Sequence, residues 1–127
     1  MEIEEIRSLT FEKTIVNANK PVVIYVYSMS CPNCKTLAHN LKETQVTDES
    51  LYVFRGLDAR ENIDVVKKYK VLVVPTLLFF VHGILVDKKA GVIAQEKIEK
   101  RLLPLNSYSV EEAKKKEVTG YFKMPWS

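Results

Sequence analysis

Residues 28–35 read Ser28-Met29-Ser30-Cys31-Pro32-Asn33-Cys34-Lys35 and contain the only two cysteines of the 127-residue chain. An apolar run from Val22 to Tyr27 precedes them, and a segment with apolar residues at helical spacing follows. The cysteines are therefore predicted to lie where a buried strand passes into a helix. A protein can hold one thiol reactive at such a junction and keep a second thiol within its reach.

The expected position of Cys31 favours an anion. At the start of a helix, free backbone N–H groups and the helix dipole lower a thiol pKa below its free value of about 8.5. Pro32 suits the first turn because it lacks an N–H that would have no partner there. Cys34 follows almost a turn later and is expected to be more buried. The hypothesis is that Cys31 is the nucleophile and Cys34 the resolving thiol of two successive thiol–disulfide exchanges.

A C-x-x-C pair alone leaves two other interpretations open. The cysteines would in one case be half-buried and without chemistry, and in the other be half of a zinc or cluster site. Within one chain only the distant His39 and His82 are available as further ligands, so a metal site would need thiolates from two chains. The strand-to-helix context favours redox chemistry, with no metal and no cofactor beyond a redox-active Cys31–Cys34 disulfide.

The composition limits the class of protein. Apolar residues at 46%, charged residues at 28% and a net charge of +3 are typical of a single globular domain and indicate neither nucleic acid nor membrane as a partner. The acidic start of the chain does not resemble a secretory signal, and the run from Val71 to Val81 is interrupted by Pro75 and is too short to span a bilayer. We therefore expect a cytoplasmic protein, in which paired cysteines are more often catalytic or metal-binding than stabilising.

The hydrophobic pattern predicts an α/β fold with the order βαβαβαββα. Its β-α-β units call for parallel strands and its terminal hairpin for antiparallel ones, which gives a mixed central sheet with helices on both faces. Thr10 is expected to cap the first helix, and Ile63, Val66 and Tyr69 to line the inner face of the third. The predicted strands are 3–7, 22–27, 51–55, 76–81 and 84–89. The predicted helices are 11–17, a second that begins at the cysteines and runs to about residue 45, 60–70 and 95–103.

Residues 104–127 fall outside this plan and are predicted to form an extension to a domain of residues 1–103. Ser109 to Glu112 fits a capping box and predicts a short helix from Val110 to about residue 117. A tail rich in large apolar groups follows, and we expect it to pack on its own domain or on a second copy of the chain. Those groups are Tyr121, Phe122, Met124 and Trp126.

Several segments at matched spacings resemble the thioredoxin family, over roughly residues 3–103. They are Phe11 to Val23, Cys31-x-x-Cys34-Lys35, Tyr69 to Thr76, the His82-Gly83 turn and Gly91. The resemblance implies the thioredoxin fold, with Pro75 in the cis form beside the active-site disulfide. It also implies that the backbone of Val74 pairs with an incoming substrate strand. Val73, Val74 and Gly91 would then form an apolar rim for docking partner proteins.

The chain also departs from the family pattern. Ser30 replaces the usual tryptophan, and Pro32-Asn33 replaces Gly-Pro, so the motif is Cys-Pro-Asn-Cys. The family's buried aspartate and its lysine partner are replaced by Tyr25 and Gly56. Because a tyrosine is a poor base at neutral pH, we expect Tyr25 to be a packing residue and Cys34 to lose its proton through water or the departing substrate thiolate.

The resulting hypothesis is a thioredoxin-like oxidoreductase that reduces protein disulfides, supported at its site by Pro32, Asn33, Lys35, Pro75 and Tyr25. The resemblance implies disulfide-containing protein substrates and an upstream reductant similar to thioredoxin reductase, for a monomer or weak homodimer. One alternative is glutaredoxin-like, oxidase or isomerase use of the same dithiol, which Pro32 and the missing tryptophan suggest. Another is a binding module of this fold without redox turnover, or with a metal held between two chains.

Overall fold

The computed structural model describes residues 3–48 and 50–121, with the backbone alone described for residues 45–48. The predicted order βαβαβαββα is confirmed, and a 3₁₀ turn at Leu105–Ser107 and a fifth helix follow it. The strands are β1 Glu4–Glu5, β2 Val22–Tyr27, β3 Val53–Asp58, β4 Thr76–Val81 and β5 Ile84–Ala90. The helices are α1 Ser8–Asn17, α2 Pro32–Asp48, α3 Ile63–Lys68, α4 Gln95–Leu102 and α5 Val110–Lys115.

The five strands form one mixed sheet in the order β1-β3-β2-β4-β5. Strands β1, β3 and β2 run parallel, while β4 pairs antiparallel with both β2 and β5. The apolar sequence of β2 fits its central place, since a strand buried on both faces needs apolar residues at every position. The carboxyl end of β2 leads directly to the cysteines.

Side chains from successive strand positions divide between two apolar layers. On one face, Val23 and Tyr25 of β2 pack with α2, α4 and α5. On the other face, Ile24 and Val26 of β2 pack with α1 and α3. The cysteines lie in the first layer, where Cys34 is 1% exposed.

The first helix begins earlier than the sequence predicts. It starts at Ser8, so Thr10 lies inside the helix and is not its cap. The backbone N–H of Ser8 instead donates to the Asn62 side-chain oxygen at 2.9 Å, and its hydroxyl donates to the same oxygen. A residue 54 positions away thus satisfies the helix N-terminus, which a local capping pattern does not reveal.

Two further predictions were wrong in detail. The third strand is Val53–Asp58 rather than 51–55, because pairing with β1 and β2 on either side carries it through Gly56. In α3, Ile63 is 54% exposed and Val65 is the buried residue. Val66 and Tyr69 pack partly buried beside Val65, and Ile63 lies off this inward face of the helix.

Residues 105–118 add buried side chains to both layers. Leu105 and Ala113 lie in the layer with the cysteines, and Val118 lies in the other. The N–H of Val118 donates to the Leu85 carbonyl at 2.8 Å, so the segment passes around the edge strand β5 and covers it. The predicted capping box of Ser109 and Glu112 is confirmed. In the tail, Tyr121 is half exposed, whereas Phe122, Met124 and Trp126 lie outside the described residues.

Candidate active site

The two cysteines form a disulfide at the N-terminus of α2, with a Cα–Cα distance of 5.1 Å. Cys31 directly precedes the helix, Pro32 is its first residue, and Cys34 lies in its first turn. The strand-to-helix junction expected from the sequence is therefore where the cysteines lie. The disulfide is the oxidised form of a dithiol, and its reduction would give two thiols, of which that of Cys31 lies at the helix N-terminus.

The two sulfur positions differ in exposure. Cys34 is 1% exposed, whereas Cys31 is only partly buried against the same apolar layer. The backbone N–H of Cys34 donates to Cys31 Sγ at 3.1 Å. In the reduced protein this N–H and the helix dipole would stabilise a Cys31 thiolate, which is the attacking species in thiol–disulfide exchange. Cys31 is therefore both the more accessible cysteine and the one whose thiolate would be stabilised.

A loop before β4 forms the opposite side of the site. The Val74–Pro75 peptide bond is cis, and Pro75 is buried. The Val74 carbonyl oxygen lies 4.0 Å from Cys31 Sγ. Gly91, at a φ of +87°, donates its N–H to the Pro75 carbonyl at 2.9 Å, so the chain after β5 is joined to this loop. These contacts bring Val74, Pro75 and Gly91 together next to Cys31.

Exposed apolar side chains occur along the same segments. Val73 is 54% exposed beside Val74, which is partly buried. Sequence reasoning missed three others that adjoin the named residues in the chain. They are Met29 (74% exposed), Leu72 (59%) and Val92 (39%). Large apolar groups that remain in water next to a reactive site are typical of a surface that binds other proteins.

Tyr25 lies beneath the disulfide on the inner side. Its hydroxyl donates a hydrogen bond to the backbone carbonyl of Cys34, and its ring stacks on Tyr27 with centroids 5.1 Å apart. Burial, and then the negative charge of Glu5, raise the pKa of Tyr25 to about 12. Tyr25 therefore stays protonated at neutral pH and is not a proton acceptor there.

A carboxylate also lies on this face, and sequence reasoning did not find it. Glu5 of β1 is level with Gly56 of β3, which is in turn level with Tyr25 of β2. A Cβ atom on Gly56 would lie 2.7 Å from Glu5 Oε2, so the glycine leaves room for the Glu5 side chain. The Tyr27 hydroxyl donates to Glu5 Oε1 at 2.7 Å. The pairing of Glu5 with Gly56, 51 positions away in the sequence, produces this arrangement, and no local pattern indicates it.

The other predicted residues lie at the surface. Asn33, Lys35 and His39 are exposed on α2, and Lys35 lines the cleft beside Cys34. His82 is exposed in the β4–β5 turn, and its Nε2 lies 2.8 Å from the Tyr108 carbonyl oxygen. Over residues 3–48 and 50–121, no three His, Cys, Asp or Glu side chains converge to hold a metal ion. No helix in that part of the chain is long and apolar enough to cross a membrane.

Known proteins are similar to this chain in sequence. A family model described as Thioredoxin matches residues 2–103. The chain is 30% identical over 89 residues to a mitochondrial thioredoxin of Bos taurus, which covers 70% of this chain and 54% of that protein. It is 27% identical over 88 residues to a thioredoxin of Mycoplasmoides gallisepticum, covering 69% and 87%. It is 25% identical over 87 residues to a bifunctional thioredoxin reductase/thioredoxin of Mycobacterium leprae, covering 68% and 19%. The chain thus spans about half the length of the first of these relatives.

Proposed function

Because the chain belongs to the thioredoxin family, we propose that it is a thiol–disulfide oxidoreductase that reduces protein disulfides through Cys31 and Cys34. The observation that carries this proposal is the disulfide between a partly exposed Cys31 and a buried Cys34 at the N-terminus of α2. A pair that only stabilised the fold would not need one sulfur accessible at a helix end.

The reaction consists of two exchanges that balance in electrons. In the reduced protein, the Cys31 thiolate attacks one sulfur of the substrate disulfide, and the other substrate sulfur leaves as a thiolate. Cys34 then loses its proton and attacks Cys31 Sγ, and the bond between Cys31 and the substrate sulfur breaks. The substrate leaves as a dithiol, and the protein is left with the Cys31–Cys34 disulfide that the structure contains.

Neighbouring residues are assigned supporting roles. Pro32 begins α2 next to Cys31, Asn33 and Lys35 lie on its exposed side, and Tyr25 holds the Cys34 carbonyl from below. Pro75 is assigned a place beside the disulfide, because the carbonyl oxygen of the preceding Val74 lies 4.0 Å from Cys31 Sγ. The proposed docking rim consists of Val73, Val74 and Gly91, where an extended substrate segment would meet exposed apolar groups and the Val74 backbone.

The proposal extends to partners and compartment. An upstream thiol reductant must return the disulfide to the dithiol after each turnover, and the name of the Mycobacterium leprae relative joins such a reductase to a thioredoxin. We assign this role to a thioredoxin-reductase-like enzyme and the site of action to the cytoplasm, with neither metal nor organic cofactor required. We also assign residues 1–103 to the thioredoxin-like domain and residues 104–127 to an extension, for a monomer or weak homodimer.

The test is the reduction of insulin disulfides driven by dithiothreitol. The wild-type protein should accelerate precipitation of the insulin chains, and a Cys31→Ser variant should be no faster than dithiothreitol alone. A Ser30→Ala variant, altered next to the cysteine but retaining both thiols, is the matched control and should remain active. Equal rates for the wild type and Cys31→Ser would overturn the proposal.

A further inference from the structure

A cleft of about 250 Å³ is lined by Cys34 but not by Cys31. It lies between β1, β2 and the first three turns of α2. Its lining includes Cys34 together with Glu5, Tyr25, Tyr27, Lys35 and Lys42. Glu5 is the one carboxylate among these residues, and it is level with Gly56 and Tyr25 across three parallel strands. In a parallel sheet, residues level with one another point to the same face, which is here the face that packs on α2.

We propose that the Glu5 carboxylate accepts the proton that Cys34 loses when it resolves the mixed disulfide on Cys31. This inference rests on the oxidoreductase function proposed above. The proton leaves Cys34 Sγ, crosses the cleft to a Glu5 carboxylate oxygen and passes from there to bulk water. The electron pair left on Cys34 Sγ forms the new bond to Cys31 Sγ, and the substrate sulfur departs with the electrons of the bond that breaks.

Two features position the Glu5 carboxylate at the cleft, and a third allows it to release a proton. The absence of a side chain at Gly56 leaves the space that Glu5 Oε2 occupies. The Tyr27 hydroxyl donates to Glu5 Oε1 at 2.7 Å and fixes the carboxylate at the cleft. Glu5 is also open to solvent, as a group that must release its proton after each turnover has to be. Tyr25, which stacks on Tyr27 and donates to the Cys34 carbonyl, lines the same cleft as the carboxylate and Cys34.

The charges around Glu5 act in both directions. Partial burial of the Glu5 side chain raises its pKa above the usual carboxyl value, the Tyr27 hydrogen bond lowers it, and the surrounding charges have smaller effects. A raised pKa makes a carboxylate a better match for a thiol proton at neutral pH. The titratable and charged groups that face it are Asp58 of β3, Glu61 of the following loop, Arg7 after β1, Tyr25 and Tyr27 of β2, and Lys35 and Lys42 of α2.

The experiment separates the two exchanges by time. The reduced protein is mixed with a symmetrical aromatic disulfide whose thiolate is coloured, in a stopped-flow instrument. The first thiolate released reports attack by Cys31, and the second reports resolution by Cys34. In Glu5→Gln the second release should slow at least about tenfold at neutral pH, because a positioned base contributes that much or more. The first release should stay within about twofold of wild type.

Three further variants exclude a merely structural effect. Glu4→Gln removes the same charge from the same strand, but Glu4 is level with Arg55 and ion-pairs with it at 3.3 Å, so both releases should be unchanged. Gly56→Ala retains every titratable group but displaces the Glu5 carboxylate, and should slow the second release alone. Tyr27→Phe removes a hydrogen bond that lowers the Glu5 pKa, so the Glu5 pKa should rise. The rate of the second release should then begin to fall at a higher pH than in the wild type.

The outcomes distinguish this inference from the function on which it rests. If the wild type shows both releases and Glu5→Gln matches it across the pH profile, Glu5 is not the acceptor and the oxidoreductase function stands. If the wild type shows no first release beyond that of Cys31→Ser, the proposed function fails and the inference fails with it. A slowed second release in Glu4→Gln equal to that in Glu5→Gln would also overturn the assignment, since general loss of negative charge would explain both.

Discussion

The hydroxyl of Tyr25 donates a hydrogen bond to the backbone carbonyl of Cys34. This bond joins the centre of the sheet to the first turn of α2, which carries the disulfide. Tyr25 is 6% exposed and its pKa is raised to about 12, so the hydroxyl keeps its proton and can donate this bond at neutral pH. A tyrosine here holds the position of Cys34 and leaves proton transfer to another group.

Removing this bond should destabilise the fold. Tyr25→Phe keeps the ring and its stacking on Tyr27 but deletes the hydroxyl. The free energy of unfolding of the oxidised protein should fall by about 1 kcal/mol, the usual net value of a buried hydrogen bond. Urea denaturation followed by far-ultraviolet circular dichroism measures the change. Tyr27→Phe removes a hydroxyl bonded to solvent-accessible Glu5 and should cost less. A larger loss in Tyr27→Phe than in Tyr25→Phe would contradict this ranking.

The buried ammonium of Lys88 joins the extension to the core. It donates to the carbonyls of Tyr69, Lys70 and Gly120 at 2.9–3.1 Å. Lys88→Met keeps the aliphatic stem but leaves three acceptors without this donor, and the unfolding free energy should fall by about 2 kcal/mol. Denaturation in urea is again the measurement. Lys89→Met, one position along β5 and only partly buried, is the matched control. Equal stability of Lys88→Met and wild type would show that the contact contributes nothing.

Two carboxylates should shift stability with pH in opposite senses. The Lys68 hydrogen bond lowers the pKa of Glu12 in the fold. The unfolded chain then binds more protons just below the ordinary carboxyl pKa, so stability is lost as pH falls through that range. Burial raises the pKa of Glu5, so its contribution is lost as pH rises from the ordinary value through the raised one.

The corresponding variants test these signs. In Glu12→Gln the unfolding free energy should fall less steeply as the pH drops below the ordinary carboxyl pKa. In Glu5→Gln it should no longer fall as the pH rises just above that value. Thermal or urea unfolding measured at closely spaced pH values would show both effects. If the two variants change the pH dependence of the unfolding free energy in the same direction, the pKa values of Glu12 and Glu5 are not shifted in opposite directions.

The docking rim should matter for protein substrates only. Val73 is 54% exposed, so Val73→Asp should leave the fold intact while it places a charge where an apolar partner would bind. Insulin reduction should slow by about tenfold, with little change in the rate for a small aromatic disulfide. Leu9→Asp makes a similar apolar-to-charged change on α1, where Leu9 is 99% exposed, and should alter neither rate. If both substrates slow equally in Val73→Asp, the effect lies at the cysteines and not in docking.

The sequence predicts the centre of the molecule better than its edges. The continuous apolar character of β2 and the residue types of Cys31 to Cys34 are local signals, so the strand, the helix and their junction follow from them. Thr10 failed as a cap because Asn62 supplies the acceptor from elsewhere in the fold. Ile63 failed as a core residue because the buried face of α3 is centred on Val65, Val66 and Tyr69, which leaves Ile63 beside that face.

The inner side of the site was not predictable in the same way. The resemblance to the family implies that Tyr25 and Gly56 stand in place of a charge pair. It does not show that Glu5 enters the space above Gly56, since that depends on the register between β1 and β3. The strand β1 is two residues long, and a shift of one residue would turn Glu5 to the opposite face.

The most direct test of the central claim is to trap the intermediate. Cys34→Ser and Cys31→Ser proteins, each reduced, are incubated with a peptide that carries an intramolecular disulfide, and the products are weighed by intact-protein mass spectrometry. Exchange at Cys31 with resolution by Cys34 predicts a stable adduct of protein and peptide in Cys34→Ser, reversible by dithiothreitol, and almost none in Cys31→Ser. An adduct that forms equally well in Cys31→Ser, or in neither variant, would contradict this assignment of the two thiols.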